Sequence, residues 1–274
     1  MTPIITLLTD FGTADYFFGA VKGAILTVNP EARIVDITHD VPSHDIESAA
    51  FTLLAGYSAF PAGTVHVAVV DPGVGSSRRG IVVRTGGHLF VGPDNGIFSY
   101  VMEGVEESEV FHLDQSRFFR QPVSQTFNGR DVFAPVAAAL SNGNKLEELG
   151  TRITDCVRLP PLKPTSASGD INARIIHIDR FGNCVTNISR QELSSEMISA
   201  GIELQINGMT VKQFRNFFAE EVGGAERLFA IWGSAGFLEI AAMNDSAANL
   251  LKAKRGDMVA MRSVPPAVAG GLSG

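Results

Sequence analysis

Two regimes of apolar and polar spacing divide this chain. Ile4–Thr9 (IITLLT) is a continuous apolar run stopped by Asp10-Phe11-Gly12, which predicts a strand buried on both faces. From Asp15 to Val28, Phe17, Val21, Ile25 and Val28 recur at helical spacing, and Asn29-Pro30 ends the helix. Arg33–Ile37 predicts a second strand and Asp45–Ala59 a second amphipathic helix, closed by Phe60-Pro61-Ala62-Gly63. Val65–Val70, rich in β-branched residues, predicts a third strand. This order of strand and helix predicts an N-terminal doubly wound, mostly parallel α/β domain. Gly80–Thr85 and His88–Val91 predict a short strand pair around Gly86-Gly87. Gly92–Gly96 (GPDNG) is a dense structural turn, and Glu103–Glu109 an acidic solvated segment. Val136–Leu140 predicts a further helix.

The second regime follows Leu159–Asp170 (LPPLKPTSASGD), which has no periodicity and predicts an interdomain linker. Ala173–Asp179, Cys184–Ile188, Ile202–Ile206, Arg227–Trp232, Gly236–Ala242 and Asp257–Arg262 are short apolar or alternating runs, with short helices at Arg190–Ile198 and Ser246–Leu251. The fold expectation is therefore an α/β domain over residues 1–158, a linker at 159–170, a smaller C-terminal β-barrel domain over 171–264, and a loose tail at 265–274.

Composition narrows the function. The 274 residues are 45% hydrophobic and 19% charged, enough for a sizeable core. Net charge is −7 and no basic run exceeds two residues, which argues against nucleic acid as a partner. No apolar run approaches membrane-spanning length, and the N-terminus has no basic segment of the kind that opens a signal peptide. The two cysteines, Cys156 and Cys184, are too few for a disulfide framework. The expected compartment is the cytoplasm. The six histidines are scattered without metal-ligand spacing, so no metal is expected.

Candidate chemistry lies where apolar runs stop. Asp10 and Asp71 end two strands that the pattern makes parallel, which brings both carboxylates to one sheet edge. Arg78 and Arg79 follow Asp71 by seven and eight residues in VVDPGVGSSRRG. Asp71 alone has two readings, a turn opener in Asp-Pro-Gly or a functional carboxylate; Asp10 on a companion strand favours the second. In Ser124–Pro135 (SQTFNGRDVFAP), Asn128-Gly129 also reads as a plain turn, and Asp131 as a charge against a helix dipole. No nucleophile triad and no phosphate-binding glycine motif is present. What remains is a metal-free set of carboxylates, guanidinium groups and amides, suited to gripping a ribose diol and polarising a water.

TDFG, VVDPGVGSSRR, GPDNG, TF-x-GRDVFAP, DRFGN-x-x-TN and GSAGFLEIA occur in this order over roughly 250 residues. Together they resemble the S-adenosyl-L-methionine (SAM) hydroxide adenosyltransferases, or SAM hydrolases, relatives of the SAM-dependent fluorinase and chlorinase. The resemblance implies an N-terminal α/β domain and a C-terminal β-barrel, assembled as a homotrimer with SAM bound between neighbouring subunits. It implies attack of water on ribose C5′, releasing adenosine and methionine with SAM as substrate and no cofactor. By that resemblance Asp10 holds the ribose hydroxyls. Asp71 and Arg78 belong to a water-activating Asp-Arg-His set, which leaves Arg79 a structural or surface role. Asp179 contacts the methionine amino group, Phe181 and Asn183 serve adenine, and Ser234 lies near the methionine carboxylate. The chain departs from the family at Asn128, where the family usually has His. Asn can hold a water but cannot take its proton. If the family His orients the water, Asn128 does the same; if it carries the proton, the work shifts to Asp71 or is lost. The halogenase relatives lack the Asp/Arg pair, which favours water as nucleophile. The alternatives are a SAM-dependent halogenase and a SAM- or adenosine-binding protein without turnover.

Overall fold

A computed structural model describes residues 4–105, 107–167, 170–220 and 226–263. The chain divides into two compact units, Met1–Pro161 and Leu162–Gly274.

The first unit runs β1 (Ile4–Thr9), α1 (Phe17–Val28), β2 (Arg33–Thr38), α2 (Ile46–Tyr57), β3 (Val65–Val69), β4 (Gly80–Thr85), β5 (His88–Pro93), β6 (Glu109–Leu113), α3 (Ala134–Ser141), α4 (Leu146–Leu149) and β7 (Gly150–Ile153). Its seven strands lie in the order β2-β1-β3-β5-β4-β6-β7. The strand residues alternate between two cores because a strand presents successive side chains to opposite faces. Ile5, Leu7, Val65, Val67 and Val69 pack with Val21 and Ile25 of α1 and Val136–Leu140 of α3. Leu8, Ala68, Val70 and Phe90 pack with Ala49 and Leu53 of α2. Helices thus cover both faces, which is why β1 and β3 read as continuous apolar runs.

The expected mostly parallel sheet is corrected to an evenly mixed one. β1 pairs in parallel with β2 and β3, and β3 with β5. β4–β5, β4–β6 and β6–β7 are antiparallel. The Gly86-Gly87 turn, with both glycines at positive φ, folds β4 onto β5 and reverses the direction. α2 begins as its sequence dictates, with the Asp45 side chain accepting from Ser48 N–H at 3.0 Å.

The second unit runs β8 (Thr165–Ala167), β9 (Asp170–Ile178), β10 (Cys184–Ser189), α5 (Ser195–Gly201), β11 (Ile202–Ile206), β12 (Met209–Val211), β13 (Phe214–Arg215), β14 (Leu228–Trp232), β15 (Phe237–Ala242), α6 (Ala247–Leu251) and β16 (Met258–Ser263). Its nine-stranded sheet follows β12-β11-β16-β9-β10-β15-β14-β13, with β8 beside β9. The path has two ends among the described residues. The sheet curls, because Leu204, Val211 and Val259 share one core with Leu228, Leu238 and Ile240 from its other half. β8 lies inside the stretch expected as linker and pairs antiparallel with β9. The tail expected at 265–274 lies outside the described residues.

Candidate active site

Asp71 stands just beyond β3, where Val70 is the last fully buried residue of the run. The chain turns at once: Val74 N–H donates to Asp71 C=O at 3.2 Å, and Ser76 N–H to Gly73 C=O at 3.1 Å. This turn carries Arg78 back onto Asp71. Arg78 Nε donates to Asp71 Oδ1 at 2.9 Å, and Nη2 donates to Oδ2. The pair is mostly out of water, with side chains 6% and 13% exposed, and the guanidinium lies 5.3 Å from the centre of the Phe133 ring. Two-pronged pairing fixes the carboxylate in plane as well as in distance.

Nη2 of Arg78 also donates to Asn128 Oδ1 at 2.7 Å, across fifty positions of sequence. The structure therefore brings Asp71, Arg78 and Asn128 together as the sequence reading grouped them. Asn128 Nδ2 donates to Ser124 C=O at 3.3 Å, so both ends of its amide are engaged. Gly75 makes the approach of the two loops feasible: its φ is +80°, and a Cβ there would lie 2.3 Å from Gln125 C=O.

Asp131 is where the sequence reading falls short. It does stand in the first turn of a helical segment, Gly129–Phe133, as a charge facing the helix dipole would, but it is also a fully buried carboxylate. Arg130 Nε donates to it at 2.7 Å and Arg120 Nη1 at 3.1 Å, and Ser124 N–H donates at 2.8 Å. Burial pushes its acidity the other way, but these donors hold it below the usual carboxylate range. Asp131 thereby ties down the segment that presents Asn128. Nothing in the local spacing reveals Arg120 as a partner.

A cavity of about 310 Å³ opens beside these groups, lined by Asp10, Asp71, Asn128 and a wall of phenylalanines. Phe11, Phe17 and Phe127 meet with ring centres 5.3–6.0 Å apart. The sequence reading missed this wall, although Phe11 and Phe127 each neighbour a site residue. Asp10 Oδ2 accepts from His44 N–H at 2.9 Å, with His44 at positive φ. One acidic oxygen at the cavity is thus anchored, and the other takes no protein donor among the described residues. Arg79, by contrast, turns to Asp94 and Asp155 at 2.7 and 2.8 Å. Asp94 also accepts from Val157 N–H, and Asn95 Nδ2 donates to Val70 C=O at 2.8 Å. GPDNG is a brace, not a reacting group.

The second unit carries the remaining residues. Asp179 closes the β9–β10 connection. Its Oδ1 accepts from the N–H groups of Phe181 and Asn183 at 2.9 and 2.8 Å, and its Oδ2 from Asn183 Nδ2 at 2.8 Å. Gly182 is obligatory here, since its φ is +83° and a Cβ would lie 2.1 Å from Ser246 Oγ. The loop leaves Phe181 79% exposed while Asn183 is buried. Ser234 sits exposed in the turn between β14 and β15. Glu239 was not foreseen. Burial first, and the charge of Asp179 second, push its carboxyl above the usual range, so these two acids share one locality. Cys184 is inert as a nucleophile: burial pushes its thiol up to about 11. Among the described residues no group of three His, Cys, Asp or Glu could hold a metal, and no helix is long and apolar enough to cross a membrane.

Comparison with known proteins gives this arrangement a family. The N-terminal domain of the SAM hydroxide adenosyltransferases matches residues 5–150 and their C-terminal domain residues 173–260. The chain belongs to the SAM hydroxide adenosyltransferase family. It is 38% identical to the (R)-S-adenosyl-L-methionine hydrolase of Methanocaldococcus jannaschii over 90% of this chain and 91% of the relative. It is 35% identical to the enzyme of that name from Thermus thermophilus, over 93% and 98%. The fluorinase of Actinoplanes sp. is 28% identical over 74% and 78%. An uncharacterized conserved protein from Thermotoga maritima has a similar solved structure, with a TM-score of 0.85 and 34% identity over 94% of this chain and 99% of that one.

Proposed function

We propose that this family member hydrolyses (R)-S-adenosyl-L-methionine to adenosine and L-methionine. The observation that carries the reading is the Asp71–Arg78–Asn128 contact at the phenylalanine-walled cavity, with Asp10 on the same wall. The water oxygen forms a bond to ribose C5′ as the C5′–S bond breaks. The sulfur keeps the electron pair and leaves as the neutral thioether of methionine. One proton is released from the water. The leaving group is already a sulfonium, so no acid has to protonate it, and the residues have to place one water in line. Placement can supply about 7–11 kcal/mol in favourable cases.

In this reading Asp71 accepts a hydrogen bond from that water through lone pairs the Arg78 fork leaves free. Asn128, by holding Arg78, and Arg78, by holding Asp71, fix where that water sits, and Asp10 takes the ribose hydroxyls. Asp179, Phe181, Asn183 and Ser234 serve the methionine and adenine ends, with Asp179 acting partly by holding its own loop. No metal or cofactor takes part. The finer architecture, a doubly wound first sheet and a barrel-like second one, belongs to the same proposal, as do assembly into a homotrimer and a cytoplasmic location. Helices on both faces of the first sheet and the shared core of the second support that architecture. Identity of 35–38% to hydrolases against 28% to a fluorinase supports water over halide.

The test is product analysis of purified protein with each sulfonium epimer of SAM, with and without chloride or fluoride. Equal amounts of adenosine and methionine from the R epimer are expected. A 5′-halo-5′-deoxyadenosine product would make it a halogenase. Tight SAM binding with the substrate left intact would make it a binding protein.

A further inference from the structure

The second unit holds another cavity, of about 380 Å³, between α5, β13 and β14. None of the residues assigned to SAM lines it. Arg190, Arg215, Ser195, Ser199, Asn216 and Trp232 do, and no Asp or Glu is among its lining residues. Two guanidinium groups without an acid are unexpected on a chain of net charge −7.

Arg215 is the decisive group. It is only 9% exposed, and its Nε has no hydrogen-bond partner among the described residues. Its other nitrogens reach only neutral acceptors, Phe218 C=O at 3.3 Å and Gln213 Oε1 at 3.2 Å. The guanidinium stacks 4.1 Å from the centre of the Phe229 ring, which presents its charge without cancelling it. The Glu220 carboxyl is held below its usual range first by the Asn216 N–H and least by Arg215, and both its oxygens accept from Asn216. Arg190 lies 4.5 Å over the Trp232 ring at the cavity wall. Neither arginine has an ion-pair partner among the described residues. A buried cation with an unspent donor is costly unless something of opposite charge meets it.

We propose that this cavity binds a small organic oxyanion, a carboxylate or a phosphate monoester. The planar guanidinium fork matches either group, and the Ser195 hydroxyl at the cavity wall adds a polar contact. The volume would hold about a dozen waters at roughly 30 Å³ each. That is far more than a bare oxyanion fills, so the ligand carries an organic body against Trp232 and Ile231. The inference is independent of SAM hydrolysis.

Titration calorimetry of the full chain at low salt tests it, with glucose 6-phosphate and succinate as probes and glucose as the neutral control. Saturable binding of at least one anion at one site per chain is expected, and the anion that binds identifies the ligand class. Arg190→Gln, at an exposed position, should weaken it about tenfold or more. Arg215→Lys keeps the buried charge but loses the fork, and should weaken it similarly while melting cooperatively. The proposal is overturned if neither anion saturates, if glucose binds as well, or if both variants bind like the native chain.

Discussion

Replacing Asn128 by His tests whether this position orients a water or moves a proton. Asn128 accepts from Arg78 Nη2 at 2.7 Å and donates to Ser124 C=O at 3.3 Å. A neutral imidazole has one acceptor and one donor nitrogen. In the place of Asn128 it satisfies the same two neighbours by accepting from Arg78 and donating to Ser124. No lone pair is then left for the proton of water. The structure therefore predicts that Asn128→His changes kcat/KM for SAM by no more than a few-fold. Asn128→Ala is different, since it strips a partner from a mostly buried guanidinium. A hydrogen bond to a charged group is worth about 1.5–3 kcal/mol, so kcat/KM should fall about 10–150-fold at 1.36 kcal/mol per decade. The assay is adenosine release followed by chromatography from pH 5.5 to 9. A placed base contributes about 10²–10⁴-fold. A gain of that size in Asn128→His, with a new inflection near a histidine pKa, would falsify the orienting role and mark the native chain as catalytically crippled.

Two further outcomes follow from buried groups. Asp131→Asn keeps the shape of a fully buried carboxylate but removes the charge that Arg130 and Arg120, themselves 26% and 53% exposed, donate to; at about 1.5–3 kcal/mol for hydrogen bonds to a charged group and roughly 2–4 °C per kcal/mol, calorimetry should show a melting point lowered by about 3–12 °C, and an unchanged one would refute the brace. His66 is fully buried, bonded to Thr6 at 2.7 Å and to His88 at 3.1 Å, and burial first, then His88, lowers its pKa to about 3. Its folded pKa lies below the unfolded one, so its stabilising effect is complete above about pH 6.5 and is lost as pH falls toward 3. Urea unfolding should give about 2 kcal/mol less stability at pH 5 than at pH 7.5, and a His66→Gln variant with the same slope would exclude this histidine as the cause.

The elements most legible in sequence were those whose environment is set locally. Ile4–Thr9 is bounded by Asp-Phe-Gly, and Ile202–Ile206 alternates with period two; both strands have the bounds their pattern suggests. β6 was hidden because the acids before it disguise Glu109–Leu113 as surface. β7, Gly150–Ile153, is a short edge strand with two exposed residues, so it shows no apolar signal. Two site carboxylates were legible because strand ends and Asp coincide. That Arg78 reaches Asn128, and Arg120 reaches Asp131, depends on how loops meet. Spacing along the chain carries no record of that. The phenylalanine wall was unseen for a related reason, since apolar residues announce burial but not the neighbours they bury against.

One side chain couples the two loops of the first unit's site. Arg78 fixes Asp71 through two bonds and Asn128 through a third. The Asn128 loop is held in turn by Asp131 through Ser124 N–H, and the Asp71 loop rests on Gln125 at Gly75. Each loop is therefore positioned by the other as much as by the sheet beneath it. On the proposed mechanism this is why the site needs no base at position 128. The demanding step is to hold one water in line with C5′, and rigidity of the acceptors that meet it counts for more there than basicity. An amide that is bonded at both ends is as rigid as an imidazole bonded at both ends. In the proposed reaction Asn128 thus keeps the positioning half of the role that the resemblance gives the family histidine, and Asp71 is the group that receives the proton.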